Sequence, residues 1–281
     1  MCCGILWVLV MSGCSFPEQE SLSYSVPNWT SDGQIIAREV YVKTKDTLTS
    51  KGEMVSYRNS IVLMNADGSG VQELFEVNEN GIQLIEMSPQ GTYVGYINAL
   101  GELKVYTRGG ALVGRVTPDP PVTHFKFSPD ETKIYGSEDT GAMSFYSFPD
   151  LEFLLSNELG GGGGFIDNNR VAYRNWEPHG VALFNSDTQE QTLFPVTFIP
   201  EVYVSSENAV YGLGADKVYR YELGAERYAE EVFSWDPYEY NDFTGKHLSP
   251  DGEKIVMSYD SIEDVGIYVL TVENSQIQRI K

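Results

Sequence analysis

One short phrase recurs through this chain at intervals of about forty residues, and repetition at such a period confines a sequence to tandem architectures. The phrase is an apolar or aromatic residue, then Ser-Pro-Asp-Gly or a variant of it, then a strand-like run. It reads Trp29-Thr30-Ser31-Asp32-Gly33 before QIIAREV and Met87-Ser88-Pro89-Gln90-Gly91 before TYVGYI. It returns as Phe127-Ser128-Pro129-Asp130-Glu131 before TKIYGS and Leu248-Ser249-Pro250-Asp251-Gly252 before EKIVMSY. Two degenerate copies lie between these last two: Ile166-Asp167-Asn168-Asn169 before RVAYRN, and Val204-Ser205-Ser206-Glu207-Asn208 before AVYGLG.

Turn chemistry accounts for the phrase. Proline presets φ at the start of a tight turn, aspartate bonds nearby backbone N–H groups, and glycine accepts positive φ. Asp32, Gly33, Pro89, Pro129, Asp130, Pro250, Asp251 and Gly252 are therefore expected to be turn residues between antiparallel strands. A second phrase follows each copy: a short strand, a polar turn and another strand, as in ELKVYTRGGALVGRVT. Each unit then holds four strands, and six units fill residues 27–281, with boundaries near 27–80, 81–120, 121–159, 160–198, 199–238 and 239–281. A lone small sheet cannot bury both faces, so tandem sheets point to an all-β, six-bladed β-propeller with four antiparallel strands per blade. A β-sandwich is the alternative, although it does not require a turn phrase at this interval. The 18 Tyr and 27 Gly suit strands joined by tight turns.

These repeats resemble those of TolB-type, WD40-like propellers, whose pattern runs roughly Trp-Ser-Pro-Asp-Gly, strand, then an Asn-x-Asp-Gly turn. Asn65-Ala66-Asp67-Gly68 matches the latter. The resemblance implies architecture and is poor for function, because a fold hosts many functions. Closure can occur in two ways: each blade is self-contained, which is the favoured reading, or Ser21 to Val26 joins the last sheet.

All three cysteines, Cys2, Cys3 and Cys14, lie in the first fourteen residues, so the body has no disulfide framework. Ile5 to Met11 is apolar but too short to span a bilayer, and it fits a secretory leader. Met11-Ser12-Gly13-Cys14 resembles the lipobox of bacterial lipoproteins. The resemblance implies a signal peptide over 1–13, a lipidated Cys14 carrying acyl chains such as palmitate, and a polar tether over 14–26. Ser15 is not the Asp associated with inner-membrane retention, so the outer membrane is favoured if the source is Gram-negative. The alternative is an N-terminal strand with incidental cysteines.

Forty Asp and Glu against 19 Lys and Arg give a formal net charge of −21, which repels phosphate backbones and excludes nucleic acid as a partner. His124, His179 and His247 fall in three different units with no metal-ligand spacing, so each reads as structural or solvated. The turn aspartates lack the spacing of a calcium loop. Gly160 to Gly164 has no following Lys-Ser/Thr, and reads as a flexible linker between blades and not a phosphate cradle. Two acidic, aromatic loops read as ordinary loop packing or, alternatively, as a candidate recognition surface of Trp235, Tyr238, Tyr240, Asp242, Tyr259 and Asp260. With no catalytic motif and no cofactor expected, the reading is a lipid-anchored, non-enzymatic scaffold of the bacterial envelope. Its partner would be a protein or peptide, and it would touch the membrane only through its anchor. The alternatives are a lyase- or lactonase-type propeller enzyme with a metal in the channel, and a glycan binder.

Overall fold

The computed structural model describes residues 18–46, 51–79, 81–138, 141–158, 160–177, 179–194, 196, 198–214, 216–225, 229–235, 243–260 and 265–281. Cys14, Tyr238, Tyr240 and Asp242 lie outside the described residues. The first blade is β1 (Glu18–Trp29), β2 (Ile35–Lys45), β3 (Glu53–Met64) and β4 (Gln72–Glu76). The second is β5 (Leu84–Met87), β6 (Tyr93–Ile97), β7 (Leu103–Thr107) and β8 (Leu112–Val116); the third is β9 (His124–Phe127), β10 (Lys133–Ser137), β11 (Met143–Ser147) and β12 (Phe153–Asn157). The fourth is β13 (Gly160–Phe165), β14 (Arg170–Asn175), β15 (Gly180–Asn185) and β16 (Gln191–Phe194). The fifth is β17 (Ile199–Val204), β18 (Ala209–Leu213), β19 (Lys217–Glu222) and β20 (Glu230–Ser234). The sixth is β21 (Phe243–Leu248), β22 (Lys254–Asp260), β23 (Val265–Thr271) and β24 (Gln276–Arg279).

Every sheet is antiparallel and built from four consecutive strands, so this is a six-bladed β-propeller with self-contained blades. The first strands β1, β5, β9, β13, β17 and β21 touch in that order, and β21 touches β1, which closes a ring around the axis. Closure rests on packing. Tyr24, Trp29 and Ile35 of blade one interleave with Val256, Ile267 and Val269 of blade six. Trp29 Nε1 donates to the His247 carbonyl across the same seam at 3.0 Å.

The hydrophobic core lies between blades. Six clusters of buried apolar side chains occur, and each draws its residues from two neighbouring blades. Second strands supply both sides at once: Ile35 and Ala37 face blade six, while Ile36 faces blade two. Likewise Ile134 faces blade two and Tyr135 faces blade four. These strands therefore carry consecutive apolar residues, because both of their faces are buried.

Two sequence readings need correction. Residues 18–26, read as tether, belong to β1 and pair with β2 from Glu18↔Lys45 to Ser25↔Arg38. Gly160 to Gly164 is no linker but most of β13, the inner strand of blade four. Glycine is required there by close approach: a Cβ on Gly160 would meet the Arg174 carbonyl oxygen and the Tyr173 ring at 2.3 Å. Gly160→Ala is expected to cost about 1–3 kcal/mol through overpacking. Gly109→Ala, whose Cβ would have only Thr107 Oγ1 within reach at 3.9 Å, should be close to neutral. Urea denaturation of the two variants measures the contrast, and equal losses would refute the steric account.

Candidate functional site

Each of the four clear turn phrases is pinned by its serine or threonine. Ser88, Ser128 and Ser249 are buried, and their Oγ atoms accept the N–H of Tyr93, Lys133 and Lys254 at 2.9 Å. Ser128 and Ser249 also donate to Asp130 and Asp251 two residues on, as Thr30 does to Asp32. The last turn residue has positive φ: 78° at Gly33, 71° at Gly91, 57° at Glu131 and 75° at Gly252. The aspartates thus cap turns, as their spacing implies. The serine is the residue whose role sequence reasoning missed, although its recurrence in each clear copy was the signal.

These turns set where the inner strands end, and the residues just before them converge on the axis. The result is a cavity of about 270 Å³ on the turn face, lined by residues of all six blades. Its wall includes Trp29, Met87, Phe127, Phe165, Tyr203 and Leu248, one from each blade. Pro89, Pro129 and Pro250 line it as well, so the turn prolines double as its rim.

Below this rim is a polar floor. Asn28 donates to Glu86 Oε1 at 2.9 Å and to the Ile85 carbonyl at 3.0 Å. Lys126 pairs with the same Glu86 oxygen. A register shift between Pro200 and Val202 in β17 takes Glu201 out of the ladder, and such bulges re-aim side chains. Glu201 thereby reaches the axis, where its Oε2 lies 3.7 Å from His247 Nδ1. The His247 and Glu201 side chains are only 12% and 17% exposed, and His247 Nδ1 is buried without a hydrogen bond. Burial alone would depress Lys126, but Glu86 and Glu201 outweigh it and hold the ammonium above its ordinary value. Burial likewise pushes Glu201 up, and His247, Lys126 and His124 overcome it and hold this carboxyl below the usual range.

Glu201 also lines a second cavity of about 280 Å³ on the opposite side, with His124, Glu138, Arg174, Trp176 and Ile199. Arg174 stacks over the Trp176 ring at 4.1 Å. His124 and His247, expected to be structural or solvated, therefore both sit at the axis, while His179 is exposed at a turn. Among the described residues, no three His, Cys, Asp or Glu side chains are grouped so as to hold a metal ion.

Three residues of the candidate recognition surface, Trp235, Tyr259 and Asp260, are among the described residues. Trp235 is buried in the core between blades five and six, beside Leu213, Val218 and Leu248. Its indole is consumed by this packing, and its backbone N–H is held by the Asp216 carbonyl at 3.0 Å, just before β19. Tyr259 is half-buried and packs on Phe243 at 5.0 Å and Tyr268 at 6.1 Å. Asp260 is the last residue of β22.

No family model matches this chain, and no curated protein matches its sequence. Solved structures do match in shape. A putative TolB from Agrobacterium tumefaciens aligns with a TM-score of 0.57 at 15% identity, over 80% of this chain and 89% of that one. Kluyvelomyces marxianus Hsv2 aligns at 0.55 and 15%, over 91% of this chain and 74% of its own. The C-terminal WD40 domain of Sif2 aligns at 0.54 and 11%, over 94% and 75%. The chain is thus similar in fold to TolB-like and WD40 propellers, and at these identities the likeness concerns fold alone.

Because Glu201 titrates below its ordinary 4.5, the stability it lends is present above that value and is lost as pH falls through the folded pKa. Glu201→Gln should therefore destabilise the chain near neutral pH by about 1–3 kcal/mol. Its deficit relative to wild type should close as pH drops below 4.5. Urea titrations across that range read this out, and a pH-independent deficit would show that the carboxylate charge is not what stabilises the axis.

Proposed function

We propose that this chain is a lipid-anchored, non-catalytic scaffold of the bacterial envelope, holding a protein or peptide at the turn-face mouth of its propeller. One observation carries the reading: the mouth has an apolar and proline rim from six blades over a floor whose charges are already engaged with one another. Aromatic and proline surfaces give contact area to a peptide segment, and the floor offers polar groups that fix its orientation. The anchor rests on Cys14 and its resemblance to the lipobox residue, and with it the envelope location. The strongly acidic body, at −21, fits a partner with basic character.

A second reading is favoured by a specific feature. Asn28, Glu86, Glu201 and His247 reach the axis from four different blades, which is what a propeller enzyme of lyase or lactonase type needs. The glycan alternative loses its principal aromatic, since Trp235 is buried.

A photoreactive residue at Pro129, on the exposed rim, separates these readings when carried by the lipidated chain in envelope membranes. A binding scaffold should give a covalent protein or peptide adduct from Pro129 and none from Leu100, which is 78% exposed on the opposite face. Adducts at Leu100 alone would place the partner elsewhere. Conversion of envelope metabolites that is abolished by Glu201→Gln would favour the enzyme.

A further inference from the structure

The first blade is built unlike the others. Its strands β1, β2 and β3 have 12, 11 and 12 residues, whereas the second strands of blades two and three have five. Both types of second strand begin at the turn phrase, so the surplus lies at the far end. At about 3.3 Å per residue, the extra length of β2 projects a three-stranded ribbon roughly 20 Å beyond the blade. The ribbon comprises residues 18–23, 40–45 and 53–59, and its tip is set by the pairings Glu18↔Lys45 and Lys45↔Glu53. A bulge in β1 between Ser25 and Asn28, with Val26 at φ 52°, lies just after ribbon becomes blade.

Three properties of this ribbon point the same way. First, it exposes large apolar side chains: Met54 is 62% and Val55 53% exposed at its tip, with Leu22 and Tyr57 exposed higher up. Second, residues 41–58 carry Lys43, Lys45, Lys51 and Arg58 against Asp46 and Glu53. Adding Glu18 and Glu20, both paired with Lys43, brings the ribbon to neutrality, in a chain whose formal charge is −21. Third, the chain enters at the tip. Cys14 precedes Glu18 by four positions, so the two cannot be more than about 14 Å apart.

We infer that this ribbon is a foot that rests on the lipid bilayer, with Met54 and Val55 in the headgroup region. The inference depends on the lipidation of Cys14 proposed above. An acylated Cys14 holds the ribbon tip at the bilayer, and the apolar tip gains by leaving water there. The neutral ribbon can approach an anionic surface that repels the acidic body. Its length matters for the same reason. A standoff of roughly 20 Å between the acidic body and the surface exceeds two Debye lengths of about 8 Å at physiological salt. The foot therefore turns the Ser-Pro face and its cavity away from the membrane, towards a partner.

The body after Cys14 has no other cysteine, so Met54→Cys gives the acylated chain one free thiol. The full lipidated chain is reconstituted in vesicles of phosphatidylethanolamine and phosphatidylglycerol, and the thiol is labelled with an environment-sensitive fluorophore. A label at 54 should shift to the blue, resist aqueous iodide and be quenched by a lipid-attached nitroxide, and Val55→Cys should repeat this. A label at Leu112→Cys, on the outer strand of blade two, should show none of it. A water-exposed label at 54 and 55, with intact mass showing acylated Cys14, overturns the foot and leaves the anchor standing. Unmodified Cys14 by mass overturns both. Shielding that appears only when envelope proteins are added overturns the foot in favour of a protein partner at the ribbon.

Discussion

The packing of blade one against blade six is the interaction on which the rest of this propeller depends. No strand is exchanged between them, so the ring is held by side chains and by the Trp29 indole bonding the His247 carbonyl. The carboxy-terminal end joins the seam: Ile280 covers the turn at Gly68 so closely that a Cβ there would meet its carbonyl oxygen at 2.3 Å, and the Lys281 ammonium lies 5.8 Å from the Tyr24 ring centroid. Each of the other five interfaces repeats the same logic, with apolar slabs between sheets that could not be stable alone. Opening the seam would expose two such slabs and release the convergence of all six inner strands.

Convergence is also what makes the site. Asn28, Glu86, Lys126, Glu201 and His247 come from five blades and are brought together at the axis by ring closure and, for Glu201, by the bulge in β17. The buried serine or threonine of each clear turn phrase sets the height at which an inner strand ends, and so sets the height of the apolar rim and the polar floor. Structure and site are thus one construction. The floor charges compensate each other in a poorly solvated place, where an unpaired member would be costly.

Much of the fold is legible in the sequence because its signal is local. A turn phrase needs only adjacent residues, so Ser88-Pro89 or Ser249-Pro250 announces its turn without knowledge of the rest. The degenerate copies at Ile166 and Val204 still fall where turns occur, Val204 being followed by a short 3-10 turn over Ser205–Glu207 and Asn208 at φ 48°. Features that depend on neighbours distant in sequence leave no such mark. Glycines look alike whether they give freedom or avoid a collision, so Gly160 reads as linker although it is pressed against β14. Trp235 sits in an acidic, aromatic stretch, and only the approach of blade six shows it to be core. Glu201 gives no signal because its position depends on a bulge. The length of β1 is hidden by its polar start, which reads as tether when its partner strand is unseen.

The seam offers the most direct test. Trp29→Phe keeps the ring in the core and removes the donor to the His247 carbonyl. Native-state hydrogen exchange of this variant, mapped strand by strand, should show faster exchange in β1–β2 and β21–β22 together, with β10–β11 across the ring unchanged. Acceleration confined to β1–β2, with β21–β22 as slow as in the wild type, would contradict closure by packing between the first and last blades.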